Sequence, residues 1–259
     1  MKKFLLAIIL PLLFMGCISS GVTVKVNKDG SGEIVQTFKI KKDFVGFLSM
    51  SDEPTDPNLV DMKSLNLAAK AMGEGVSLTK VEPMPEDSPY AGYEAYFKFQ
   101  DISKIKVSAS PSTSPEAISE DSKDWIRFDF NKGKTSKLTM HLSEQDTDET
   151  DQTVDLENDE KIEASTEEDL GDQLKEIYKD MHYWMKVEVV GNITKTNASF
   201  VDGSQITIFD MNFEKIVEND ELFKKVTAEN PGSMNEYKDE LSKVGVFIDD
   251  KKEITVSFK

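Results

Sequence analysis

Cysteine is nearly absent from this chain: Cys17 is the only one among 259 residues. A lone cysteine closes no disulfide within the chain and builds no thiolate metal cage, so both scaffolds are excluded. Histidine is almost as scarce, with only His141 and His182. Neither belongs to the paired spacing of a zinc protease helix, and with both isolated no Ser-His-Asp or Cys-His nucleophile system can be assembled. Basic residues number 31 against 48 acidic ones, a formal charge of −17, which is the wrong sign for neutralising nucleic-acid phosphates. Apolar runs long enough to span a bilayer as a helix, about 20 residues, are missing too. What remains is a chain that is 38% hydrophobic with 15 phenylalanines, enough for a real core in one large domain or two small ones.

The amino-terminal segment is the most specific signal. Lys2 and Lys3 precede an uncharged apolar run from Phe4 to Met15, broken only by Pro11. Its length suits the hydrophobic stretch of a signal peptide and not a membrane span. Leu13-Phe14-Met15-Gly16-Cys17 follows, with the single cysteine where cleavage falls and a small residue before it. This stretch resembles a bacterial lipobox, and the resemblance implies that residues 1–16 are removed and Cys17 is acylated, with palmitate among its chains. Two or three acyl chains hold a protein on a bilayer without any transmembrane helix. The alternative is an ordinary secretory peptide with an incidental cysteine. Ile18 follows the cysteine, and by the sorting rule of such lipoproteins this favours the outer membrane over inner-membrane retention.

The rest of the chain alternates apolar and polar residues in short stretches. Val22, Val24 and Val26 lead through Asp29-Gly30-Ser31-Gly32 to Ile34, Phe38 and Ile40, the pattern of a β-hairpin. Residues 43–50 and 58–72 read as helices, the second carrying Leu59, Met62, Leu65, Ala69 and Met72 and stopped by Gly73. Strands are expected at 76–81 and 95–99, and 108–124 reads as an exposed excursion. A second hairpin joins Ile126, Phe128 and Phe130 to Leu138, Met140 and Leu142 across Asn131-Lys132-Gly133-Lys134.

Glu144 to Asp169 then holds thirteen acidic residues against the single Lys161. Residues 144–164 of it are expected to be a solvated, flexible link inside one domain, between a part spanning 17–143 and a part spanning 165–259. An amphipathic helix opening at Ser165 or Thr166 should carry Leu170, Leu174, Ile177 and Met181, with His182 at its end. Strands follow at 185–190, 193–200 and 205–209. A helix in two pieces covers 213–228, and a capping box at Ser233 to Glu236 opens a last helix ending at Gly245. Val246 to Ile248 and Ile254 to Phe258 suggest a closing hairpin. The sum is an α+β fold whose largely antiparallel sheet is built from hairpins, with helices packed on one face.

Chemistry is thinly marked. His141 shares the polar face of its strand with Lys137 and Thr139, and His182 suits the carboxyl end of a helix; both read as structural. Asp146, Asp148 and Glu157 match three positions of a calcium loop, but Asp151 stands where the sharp turn needs glycine, so no metal site is assigned. Gly30-Ser31-Gly32 joins strands and is no phosphate loop. Paired carboxylates for hydrolysis are available anywhere among 48 acids and therefore point nowhere. Asn192-Ile193-Thr194 and Asn197-Ala198-Ser199 have the form of glycosylation sequons. Tyr90, Tyr93, Tyr96, Phe97 and Phe99 could line a ligand cleft, although core plus strand surface is the plainer reading.

Two further groups of residues carry a resemblance. Gly73-Glu74-Gly75-Val76, Gly92-Tyr93-Glu94-Ala95-Tyr96-Phe97 and Asp101-Ile102 resemble a group of bacterial membrane-anchored lipoproteins. Val189-Val190-Gly191-Asn192-Ile193, Thr196-Asn197-Ala198 and Gln205-Ile206-Thr207 resemble the LppM-like lipoprotein domain. The resemblance implies an α+β domain of the cell envelope with a lipid- or amphiphile-binding role in some relatives, and the thin chemistry adds the expectation of a non-enzymatic lipoprotein without cofactors. It would be held by Cys17 on the cell or outer membrane, facing the periplasm or the exterior, and would act as a binding or accessory module for lipid or another amphiphile. The alternatives are a structural lipoprotein docking an envelope partner and, more remotely, a carboxylate-based hydrolase.

Overall fold

The computed structural model describes residues 18–43, 45, 56, 58–108, 125–142, 175–176, 178–227 and 234–259. Cys17, the acidic run, the excursion at 109–124, most of the expected helices at 43–50 and 165–181, and Ser233 lie outside them.

Alternation in the first fifty residues does what it should. β1 (Ile18–Val26) and β2 (Gly32–Lys41) pair as the expected hairpin, Ile18 opposite Ile40 and Val24 opposite Ile34. β4 (Tyr90–Phe99) adds to the other edge of β2, and β3 (Ser77–Pro83) pairs with β4. On the far side of β1 lies β8 (His182–Val189), running parallel to it, with Val22, Val24 and Val26 level with Met185, Val187 and Val189. β11 (Gln205–Asn212) flanks β8, and its outer edge takes both β10 (Val201–Asp202) and β12 (Phe247–Ile248). These eight strands form one sheet with a single parallel pair among its named pairings.

The remaining strands make a second, wholly antiparallel sheet in the order β5 (Lys106–Ser108), β6 (Trp125–Asn131), β7 (Ser136–His141), β13 (Glu253–Phe258) and β9 (Ile193–Thr196). β6 and β7 are the second expected hairpin, Phe130 opposite Leu138. Phe128, Leu138, Met140, Val256 and Phe258 on one face of this sheet share a continuous core with Val24, Val26, Ile34, Phe97 and Val189 of the first. The second sheet is tied to the turn of the β1–β2 hairpin: Ser136 Oγ donates to Lys28 O at 3.0 Å, and Ile102 N donates to Gly30 O at 2.9 Å.

Helices complete the cover on the same face. α1 (Met62–Met72) is capped by Asp61, whose carboxylate accepts from Lys63 N at 2.9 Å and Ser64 N at 3.2 Å. It turns Leu65, Ala68, Ala69 and Met72 into the core. α2 (Phe213–Val217), α3 (Asp220–Val226) and α4 (Lys238–Lys243) gather Phe213, Ile216, Leu222, Phe223 and Leu241 around Met181, with Tyr183 and Met211 of the sheet packed against them. The fold is α+β with helices on one face of a largely antiparallel sheet, as the sequence suggests. The addition is a second sheet on that same face.

Several local expectations are corrected. α1 starts at Met62 and not at residue 58, because Asp61 is extended and caps it while Leu59 sits at φ 58°, outside any helix. His182, Tyr183 and Trp184 open β8 and do not end a helix; their hydrogen bonds go to β1 and β11. β9 stops at Thr196 and joins the second sheet, where it lies beside β13. The proposed closing hairpin does not form. Phe247 and Ile248 pair with β11, whereas Glu253 to Phe258 pair with β7 and β9, so the chain crosses between sheets at residues 249–252. Asp249 holds that crossing: its buried carboxylate accepts from Ser199 N at 2.7 Å, Ser199 Oγ at 3.2 Å and Lys251 Nζ at 2.9 Å.

Close approach fixes one glycine. A Cβ on Gly21 would lie 2.1 Å from two ring carbons of Trp184, whose indole lies across β1 on the sheet's uncovered face. Gly21→Ala should therefore push the ring off the strand. We expect a loss of about 1–3 kcal/mol in urea unfolding and red-shifted indole emission. Asp249→Ala removes the acceptor for four donors at a buried crossing, Lys251 N at 3.4 Å being the fourth. It should cost about 2–4 kcal/mol in the same measurement, and an unchanged midpoint would refute the role given to Asp249.

Candidate binding site at the amino-terminal end of the first sheet

Cross-strand register sorts the covered face of the first sheet into rows. Tyr183, Ser20, Phe38 and Tyr93 form one row across β8, β1, β2 and β4. Met185, Val22, Gln36 and Ala95 form the next, toward the hairpin turn. Ile18, Ile40 and Ala91 lie on the opposite side of the first row, where Val45 and Leu59 pack against Ile40 and Ala91. Aromatic side chains dominate the Ser20 row. Phe38 and Tyr93 stand 5.9 Å apart, tilted by 39°.

Two polar groups interrupt this apolar face. Ser20 is 4% exposed and its Oγ, fully buried, has no hydrogen-bond partner. Gln36, also 4% exposed, is the diagonal neighbour of Ser20 on β2 and has no side-chain hydrogen bond to the described residues. Leaving a hydroxyl unpaired in such a place costs about 1–3 kcal/mol, and a strand position in phase with three valines would normally take another aliphatic residue. Tyr93 is held neutral on the same face. Burial, with the Asp61 carboxylate as a lesser cause, pushes its phenol up to about 12. Burial alone likewise raises Tyr183. The arrangement is an aromatic and aliphatic bed interrupted by a few inward polar groups.

The opposite face of the same sheet carries a polar cluster. His182 Nε2 lies 2.7 Å from Asp210 Oδ1, Lys186 Nζ lies 2.6 Å from Asp210 Oδ2, and the His182 and Trp184 rings are 4.7 Å apart. Burial would raise the Asp210 carboxyl, but hydrogen bonds from His182 and Lys186 outweigh it and hold the group below its usual range. A carboxylate more acidic folded than unfolded adds stability above its unfolded value and loses it as pH falls through the folded one. In Asp210→Asn we therefore expect a smaller drop in thermal midpoint below about pH 4 than in the wild type; equal drops would show that this carboxylate does not contribute.

Other expected positions are structural. His141 faces away from the core of the second sheet with Lys137 and Thr139, as its spacing implies. It stands between Asp129, at 2.8 Å, and Glu253, at 3.6 Å. Asn197 spends its amide on the neighbouring strand, donating to Glu253 O at 3.0 Å and accepting from Thr255 N at 2.7 Å. Glu82 and Glu94 stand directly opposite each other on β3 and β4, a pair that could be offered for hydrolysis. Tyr96 Oη donates to Glu94 at 2.8 Å. Glu82 is held below its usual range by Lys80 first and Tyr96 second. A general acid needs the opposite shift and a desolvated pocket, and this pair stands on the uncovered face. Of the aromatic set, Tyr93, Phe97 and Phe99 are core, while Tyr96 is on the uncovered face. Among the described residues no group of three or more His, Cys, Asp or Glu side chains is placed to hold a metal. Nor is any helix among them long and apolar enough to cross a membrane.

Neither Ser20 nor Gln36 is singled out by motif. The signal was there in phase: both occupy apolar positions of a strict alternation, Ile18-Ser20-Val22-Val24 and Ile34-Gln36-Phe38-Ile40. No protein-family model matches the chain, and no curated protein matches its sequence. The NMR structure of the folded domain of the Mycobacterium tuberculosis protein LppM superposes over 94% of this chain and 90% of its own, at 11% identity and a TM-score of 0.32. A superposition that loose establishes neither a shared fold nor a shared activity.

Proposed function

We propose that this protein is a non-enzymatic, lipid-anchored binding module of the bacterial envelope, taking a lipid or other amphiphile against the covered face of its first sheet. The observation that carries the reading is the position of the unpartnered Ser20 hydroxyl: buried in an aromatic row, and three residues beyond the lipobox cysteine. β1 begins at Ile18, the residue after Cys17, so an acylated Cys17 would leave no tether between bilayer and sheet. The row bearing Ser20, Phe38 and Tyr93 would then stand within a few residues' reach of the membrane surface, at about 3.3 Å of rise per strand residue.

The chain's charge of −17 would oppose association with anionic headgroups, so attachment falls to the acyl chains and not to surface electrostatics.

Cys17→Ala tests the anchor. The wild type should incorporate labelled palmitate and sediment with membranes, and the variant should lose the label entirely. Palmitate retained in Cys17→Ala would refute the attachment site.

A further inference from the structure

We infer that the face around Ser20 and Gln36 is a site for an uncharged hydrogen-bonding group carried on an apolar stem, the chemistry that an acyl ester presents. The inference rests on the amphiphile-binding reading above and deepens it, by assigning the chemical class and the two side chains that recognise it.

Three features lead to that class. The first is the unmet demand. Ser20 Oγ is wholly buried without a partner, whereas Gln36, its diagonal neighbour, makes no side-chain hydrogen bond to the described residues but keeps its amide short of complete burial, so the demand is Ser20's first. Diagonal neighbours in an antiparallel pair stand about 7 Å apart at their Cα atoms, close enough for one acceptor between them to meet both a hydroxyl and an amide donor.

The second feature is the lack of charge. Ser20 and Gln36 share their rows with Val22, Ala95, Met185, Phe38, Tyr93 and Tyr183, none of which is ionised. A carboxylate or phosphate entering this bed would lose its hydration and meet no cation among these side chains, and an ammonium would find only the Asp61 carboxylate that acts on Tyr93 from outside the rows, so an uncharged group suits the bed best. The third is the surrounding surface. Aliphatic and aromatic side chains on the same face match a hydrocarbon stem. A wholly hydrocarbon ligand would leave the Ser20 hydroxyl unpaired. An ester carbonyl satisfies all three conditions: it is uncharged, it accepts from both donors, and its chain continues into apolar surroundings.

The test uses the full, acylated chain reconstituted in phosphatidylcholine vesicles and three photoactivatable probes with the same diazirine-bearing chain. These are a monoacylglycerol, the corresponding fatty acid at pH 8, and the corresponding alkane. The monoacylglycerol should label the peptide spanning residues 18–41 about tenfold more than the alkane or the fatty acid does. The double variant Ser20→Val/Gln36→Leu should bring its labelling down to the alkane level while leaving alkane labelling unchanged. Tenfold corresponds to roughly the net worth of one or two neutral hydrogen bonds.

The same variant should raise the thermal midpoint of the probe-free protein by about 2–4 °C, since it removes unpaired polar groups from an apolar bed. Ser20→Ala, which deletes only the hydroxyl, should move both readouts in the same directions and serves if the double variant does not fold. Equal labelling by monoacylglycerol and alkane overturns the assignment and leaves the amphiphile reading standing. Ester labelling that survives both variants also overturns it, since recognition would then not depend on these two side chains. Failure of every probe to label the chain overturns the amphiphile reading together with the assignment.

Discussion

One constraint organises the molecule: the first sheet has a single apolar face, and that face must be covered. β1, β2, β4, β8 and β11 all turn their alternating aliphatic and aromatic residues to the same side. The second sheet, α1 and the cluster of α2 to α4 divide the work of covering it. Burial of a Val, Ile or Phe side chain contributes about 1.5–3 kcal/mol. The continuous core joining Val24, Ile34, Phe97, Leu138, Met140 and Val256 therefore dominates the fold. The opposite face needs no cover because it is polar, with Asp210 tying His182 to Lys186 and with Lys80, Glu82, Glu94 and Tyr96 grouped nearer the β3 edge.

A cover assembled from several elements has seams, and the polar exceptions lie between the parts. The second sheet is tied to the hairpin-turn end of the first, where Ser136 and Ile102 bond to Lys28 and Gly30. The α2–α4 cluster packs against Tyr183 and Met211 toward the other end. Ser20 and Gln36 lie in the rows between these two attachments. An interior built only for stability would carry aliphatic residues there. A buried hydroxyl without a partner opposes folding, and Ser20 is the place where the fold carries that cost.

The uncovered face is also held by close packing. Trp184 lies across Gly21, the one residue type that lets an indole rest directly on the strand, and the His182 ring lies tilted beside it with its Nε2 on the Asp210 carboxylate. Asp249 plays a corresponding part where the chain passes between sheets. Its carboxylate bonds to Ser199 and Lys251 and substitutes for a hairpin turn that would have kept β12 and β13 together.

Much of this was legible in the chain itself, and the boundary falls between local and non-local information. The alternation of Val22-Val24-Val26 with Ile34-Phe38-Ile40, and of Phe128-Phe130 with Leu138-Met140, determined two hairpins, because partners a few residues apart pay little loop entropy to meet. The caps Asp61, Asn212 and Asn219 are also local, each side chain accepting from its own first turn, but the apolar periodicity running through residue 59 hid the first of them. The scarcity of cysteine and histidine bounded the chemistry before any fold was known. Only the tertiary structure decided that β8 runs beside β1, that the last two strands part company into different sheets, and that the Ser20 hydroxyl is buried without a partner diagonally across from Gln36. Alternation says which side of a strand is apolar and is silent about which other strand it will meet. A pairing between Val22 and Met185, far apart in the chain, is chosen by burial of the whole face at once.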